Sequence, residues 1–86
     1  MNTITITKEY NKLSSERHNM DIYDVYANEW GVLQYGVKYN EYTKMYNFYN
    51  ITTRKNITGL TYEKCNRILN KEIEYQIELF KKYKRL

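Results

Sequence analysis

Apolar residues recur with a helical period over the last third of this chain and with a period of two before it. Cys65, Leu69, Ile73, Ile77 and Phe80 return every three or four positions, and Ile68, Leu79 and Tyr83 widen that stripe to about half the helix circumference. Glu63, Arg67, Lys71, Glu74, Glu78 and Lys82 fill the opposite side, with Glu63 before Arg67 and Glu78 before Lys82 at the favourable four-residue spacing. Gly59 interrupts the preceding segment, Thr61 is placed to cap the first turn, and Leu60 is placed to staple onto Cys65. The pattern predicts one long helix from about Thr61 to Lys84.

Upstream, Leu33, Tyr35, Val37 and Tyr39 alternate with Gln34, Gly36 and Lys38, the signature of a strand with one buried face. Asn40-Glu41-Tyr42 offers a turn, and Thr43 to Ile51 reads as a second strand. There the alternation fails, because Met45, Tyr49 and Ile51 stand on one side and Tyr46 and Phe48 on the other. One helix covers one face only, so one of these sets is expected to pack elsewhere or stand exposed as a contact patch. Ile22 to Asn28 reads as a strand rather than the short helix the same residues could also form, since Ile22, Tyr23, Val25 and Tyr26 favour extended structure. Thr3 to Thr7 reads as a short strand placed to protect a sheet edge, Lys8 to Asn19 as a short helix or loop, and the echo of Asn50-Ile-Thr and Asn56-Ile-Thr around Arg54-Lys55 as a turn. The predicted fold is α+β, a small antiparallel sheet of three to four strands packed against one long C-terminal helix. It is read as one domain over residues 1–86, sheet-rich over 1–58 and helical from about 61 to 84.

Composition sharpens the functional side. Eleven of the 86 residues are tyrosine, against two Phe, one Trp and no Pro, and tyrosine suits surfaces where one end of a ring is dry and the other wet. A single cysteine, Cys65, leaves no internal disulfide, and with one histidine no four-ligand zinc site can be assembled. The first residues lack the basic start and apolar run of a secretion signal, and no segment is apolar enough for a bilayer, so a bacterial cytoplasmic location with no membrane partner is expected. Asn, Lys, Ile and Tyr are the residues of A/T-rich codons, which hints at a phage, plasmid or A/T-rich bacterial origin.

No grouping of residues promises catalysis. His18 lies near Ser14, Ser15 and Glu16, but residues so close along the chain are seldom arranged as a triad. Cys65 sits on the apolar stripe, where a buried thiol is inert. Asp21 and Asp24 fall one helical turn or one strand face apart, and two carboxylates alone do not make a metal site. Gly31, Gly36 and Gly59 stand singly, so there is no phosphate-binding loop. A non-enzymatic protein with no cofactor and no metal is expected.

The net charge is +4, and three of those charges fall in residues 61–86, where Lys81, Lys82, Lys84 and Arg85 form a positive tip suited to phosphates or an acidic protein surface. The same cations also offset the negative end of the helix dipole. In small size, A/T-biased composition and lack of catalytic residues, the chain resembles, over Met1–Leu86 and as a compositional type, the small phage and mobile-element proteins that inhibit bacterial defence, anti-CRISPR proteins among them. That resemblance implies steric, stoichiometric binding to a larger host protein or ribonucleoprotein complex, a nuclease complex above all. The positive charge excludes DNA mimicry, which needs a strongly acidic surface, and points to an acidic protein patch or to competition for guide RNA. In outline the predicted fold also resembles the arm-binding domains of phage and transposon integrases, which implies direct binding of DNA or RNA. In either case the expected contact residues are Tyr46 and Phe48, exposed on the sheet, with Lys38, Lys44, Arg54, Lys55 and the basic tip. A homodimer paired through its aromatics is compatible with both.

Overall fold

The computed structural model describes residues 3–84, and each of its elements has a local cause in the sequence. Five strands form one antiparallel sheet in the order β1-β2-β3-β4-β5: Ile6–Tyr10, Asp21–Ala27, Trp30–Asn40, Met45–Asn50 and Lys55–Leu60. A short helix α1, Lys12–His18, fills the β1–β2 connection, and α2, Tyr62–Lys84, follows β5. The fold is therefore α+β, as predicted, with more strands than the three or four expected.

Helix α2 forms where the apolar stripe requires it. The Thr61 hydroxyl accepts a hydrogen bond from the Lys64 amide at 3.2 Å, capping the first turn. Cys65, Leu69, Ile73 and Phe80 are buried, whereas Glu63, Arg67, Lys71, Glu74, Glu78 and Lys82 are exposed. The stripe packs on Val25, Leu33, Tyr35, Phe48 and Leu60 to make the core. Aromatic rings continue that face toward β1: Tyr10 and Tyr23 lie 5.5 Å apart, Tyr23 and Tyr35 5.4 Å, and Tyr35 and Phe48 6.0 Å. Ile57 pairs with Phe48 and Leu60 with Tyr46, so the register shifts between them. Gly59, at φ +71°, takes up that extra residue and lets both apolar side chains of β5 serve the helix side.

Helix α1 is held by its ends. Asn11 accepts from the Ser14 amide at 3.0 Å, and Asn19 closes the helix in the left-handed region at φ 53°. Buried Ser15 takes the Ile22 amide on its hydroxyl at 2.7 Å, which seats α1 against β2.

The hairpin turns share a recipe. Asn40 begins the turn after β3, its carboxamide accepting from the Tyr42 and Thr43 amides, and Asn50 begins the turn after β4, accepting from the Thr53 amide. Each turn ends on a cation in the left-handed region, Lys44 at φ 59° and Arg54 at φ 61°.

Several expectations are corrected by these elements. The echo around Arg54-Lys55, read as a turn, is a turn only as far as Arg54, because Lys55–Leu60 forms a full fifth strand. The first strand is displaced from Thr3–Thr7 to Ile6–Tyr10, where it can pair with β2. Lys8–Asn19 divides between β1 and α1, and Ile22–Asn28 is a strand as expected, observed as Asp21–Ala27.

Candidate partner-binding face

The question left open by β4, which of its two aromatic sides meets the helix, is answered by register. Val37 stands opposite Phe48 and Tyr39 opposite Tyr46, on the side taken by α2. Phe48 is 0% exposed. Tyr46 is half-buried, its ring 5.0 Å from Tyr39 and 5.7 Å from Tyr62 at the start of α2. The expected exposed pair Tyr46 and Phe48 is thus corrected: both belong to the covered side, because their register against Val37 and Tyr39 of β3 places them under α2.

The opposite side of the same strands is the open one. Ile22, Gly36, Tyr49 and Asn56 stand in one cross-strand row, Asp24 and Gln34 in the next, and Lys38 and Asn47 in a third. Met20 covers part of the row. Its sulfur lies 2.5 Å from where a Cβ on Gly36 would sit, so a side chain at Gly36 is replaced by the thioether of Met20 packed on the strand backbone. Beyond Met20 an open groove of about 370 Å³ is lined by His18, Gln34, Tyr49, Ile51, Arg54 and Asn56, among others. A second, of about 420 Å³, includes Lys38, Asn40, Tyr42, Asn47 and Tyr49 in its lining. The two meet at Tyr49. Tyr42, at the tip of the β3–β4 turn, is 98% exposed.

The charges on this face are mixed and partly spoken for. Asp24 accepts from the side-chain amides of Asn11 at 3.0 Å and Gln34 at 2.9 Å, so its carboxylate is anchored. Asp24 stands opposite Gln34 and Asp21 opposite Val37, three residues apart on a strand and hence on opposite faces, which removes the shared metal site considered from the sequence. Among the described residues no group of three or more His, Cys, Asp or Glu could hold a metal ion.

The basic residues expected to act together are divided. Lys38 and Arg54 reach the open face. Lys44 holds the last position of the β3–β4 turn. Lys55 lies on the helix side, its ammonium 3.3 Å from Glu72 of α2, close enough for an ion pair although not aligned as a hydrogen bond. Lys81 sits 3.6 Å from Glu78, and Lys82 lies over the Tyr83 ring at 5.5 Å. Lys84 ends α2 and Arg85 lies outside the described residues. The tip of α2 comes near Trp30, whose ring is 6.5 Å from Phe80, on the covered side. Among the described residues, Lys38, Lys44, Arg54, Lys55, Lys81 and Lys82 do not form one continuous basic surface.

The catalytic readings fare in the same way. His18 Nδ1 lies 2.9 Å from the Ser14 backbone carbonyl and Ser15 engages the backbone of Ile22, so these side chains fasten α1 and its connection. Burial pushes the Cys65 thiol above its ordinary range, away from the thiolate that nucleophilic chemistry needs. Sequence reading placed Tyr49 and Ile51 on one face of β4 without deciding whether it is exposed, and missed Asn47, Gln34 and Met20 beside them; Gly36 in the middle of an alternating strand was the one signal that something packs there.

Comparison of the chain with protein-family models, with curated proteins and with solved structures finds no match. No helix among the described residues is long and apolar enough to cross a membrane.

Proposed function

We propose that this chain is a non-enzymatic binding protein that docks the open face of β3, β4 and β5 on a larger protein or ribonucleoprotein and acts by covering a functional surface. A host defence nuclease complex is the class of partner to which its small size, composition and lack of assembled catalytic groups direct it. The observation that carries this reading is the asymmetry of the sheet. The covered side absorbs Val25, Leu33, Tyr35 and Phe48, and the open side keeps Tyr42, Tyr49, Ile51 and Met20 beside amides and charges of both signs. Tyrosine, amide and apolar groups set among mixed charges match the make-up of protein interfaces, where rings give contact area and amides give adaptable hydrogen bonds. Lys38 and Arg54 bias the face toward an acidic patch on the partner.

A second reading rests on a specific feature of the same face. Gln34, Asn47 and Asn56 offer amides between Lys38 and Arg54, a combination that can also read base edges and phosphates. The acidic residues argue against it, since Glu41 shares the β3–β4 turn with Lys44 and Asp24 shares the face with Lys38. Titration against labelled duplex DNA, single-stranded DNA and structured RNA at low and near-physiological salt separates the two. We expect no submicromolar binding to free nucleic acid. Tight binding that weakens steeply with salt would replace the protein-docking reading with the nucleic-acid one.

A further inference from the structure

We propose that β1 is the pairing edge of a homodimer, in which a second copy of this chain adds its own β1 antiparallel to the first about a two-fold axis at Thr7. The sheet has two edges and they are unlike. At the β5 edge the ladder is interrupted by the register shift at Gly59, and a shifted, kinked edge pairs poorly with another strand. At β1 all five residues from Ile6 to Tyr10 are exposed, and their pairing with β2 runs without a shift.

The direction of the free backbone groups follows from the hydrogen bonds at the two ends of β1. Asn28 donates its amide to the Thr5 carbonyl, and Asn11 donates its amide to the Ile22 carbonyl. Odd-numbered residues therefore face β2, and Ile6, Lys8 and Tyr10 direct their N–H and C=O groups outward. Two strands of this kind meet with like faces together only in even registers. An axis at Lys8 would set two ammonium groups directly opposite each other, which is destabilising. An axis at Thr7 instead sets Lys8 of the second copy opposite Ile6, and Tyr10 of the second copy opposite Ile4.

The surroundings of Ile6 favour that register. Ile4, Ile6, Ile73 and Ile77 line an apolar groove of about 410 Å³ on the helix side, bordered by Glu74, Glu78 and Lys81. In the dimer the ring of Tyr10 from the second copy lies against Ile4, and the ammonium of Lys8 from the second copy comes beside Glu74, while Glu78 keeps its pairing with Lys81 at 3.6 Å. The two-fold repeats both contacts. Because the axis stands normal to the sheet, the two open faces point to the same side, so the dimer presents its candidate docking surface twice. This inference does not depend on what that surface binds.

Sedimentation over a concentration series is expected to show a mass rising from the 10.6 kDa of one chain toward twice that value. Across the axis the two Thr7 residues form a non-hydrogen-bonded pair with Cα atoms about 4.5 Å apart, within reach of a disulfide. Thr7→Cys should cross-link under mild oxidation, and Lys8→Cys should not; Cys65 is buried and adds no background. Lys8→Pro removes one outward N–H and leaves the β2 ladder intact, so it should remain monomeric with an unchanged circular dichroism spectrum. A chain that stays monomeric at every concentration, a cross-link formed at Lys8→Cys in place of Thr7→Cys, or a dimer in which neither cysteine cross-links would each overturn the proposal.

Discussion

On one side of the sheet Tyr35 and Leu33 are 4% exposed and Phe48 is sealed under α2; on the other, Gln34, Asn47 and Tyr49, from the same two strands, look outward. Both sides are rich in tyrosine, so aromatic content does not decide which is core. What decides is the partner element. Helix α2 brings a stripe of Cys65, Leu69, Ile73 and Phe80 that only an unbroken apolar face can match, and β3 supplies it with Leu33, Tyr35 and Val37. The other face of β3 carries Gln34, Gly36 and Lys38, which no helix of this chain can bury without cost. Helix α1 covers a corner of it, and the remainder stays open. The difference teaches that the polar alternation of one central strand, β3, fixes the allegiance of its neighbours.

The contrast breaks most readily at β4. Phe48→Ala removes a ring that is wholly enclosed and should cost about 3–5 kcal/mol in urea unfolding, whereas Tyr49→Ala, one residue along on the open side, should cost about 1 kcal/mol or less. Equal losses would mean that both faces are core.

Next in size is a pH effect confined to the covered side. Burial above all, with Tyr23 and Cys65 nearby, pushes the Tyr35 hydroxyl from its ordinary 10.0 up to about 12. The folded chain holds this proton longer than the unfolded chain does. Its contribution is therefore complete below the ordinary value and is lost as pH rises from 10.0 to about 12. The loss is at most about 2.7 kcal/mol, and Tyr35→Phe should remove that part of the alkaline destabilisation in unfolding titrations. A Tyr35→Phe variant with the same alkaline slope as the parent would place the ring in a wetter site.

Smaller effects sharpen the open side. Gly36→Ala should cost about 1–2 kcal/mol, because Met20 has to move off the strand. In a Met20→Ala background the same change should be close to neutral, a coupling that a double-mutant cycle in urea would measure. Additive costs would show that Met20 does not occupy that space. Last, Arg54→Gly relieves a left-handed backbone and should raise stability by about 1 kcal/mol in thermal unfolding. It also deletes a cation from the open face, so stability and partner binding should move in opposite directions.

Much of this was legible from residue order. The stripe from Cys65 to Phe80 and the Thr61 cap specify α2, and the alternation from Leu33 to Tyr39 specifies β3. Strand β5 was hidden because Lys55, Asn56, Thr58 and Gly59 give an edge strand with a kink, whose apolar Ile57 and Leu60 do not alternate. Helix α1 was ambiguous because its one large apolar residue, Leu13, is 68% exposed, and the helix stands on its asparagine caps and on Ser15 instead. Of the residues singled out by charge, Lys38 and Arg54 stand on the open face. The rings Tyr46 and Phe48 were expected there and lie on the covered side, since Met45-Tyr-Asn-Phe-Tyr gives β4 two aromatic faces and only its register against β3 tells them apart.

The most direct measurement is a titration of the purified chain against a panel of RNA-guided nucleases with and without their guide RNA, repeated with a Tyr49→Ala, Arg54→Gly double variant. A stoichiometric complex with a nuclease of the panel, weakened at least about tenfold by the double variant while its circular dichroism stays unchanged, is the expected result. No complex with any nuclease, or equal affinity of parent and double variant, would contradict docking through the open face.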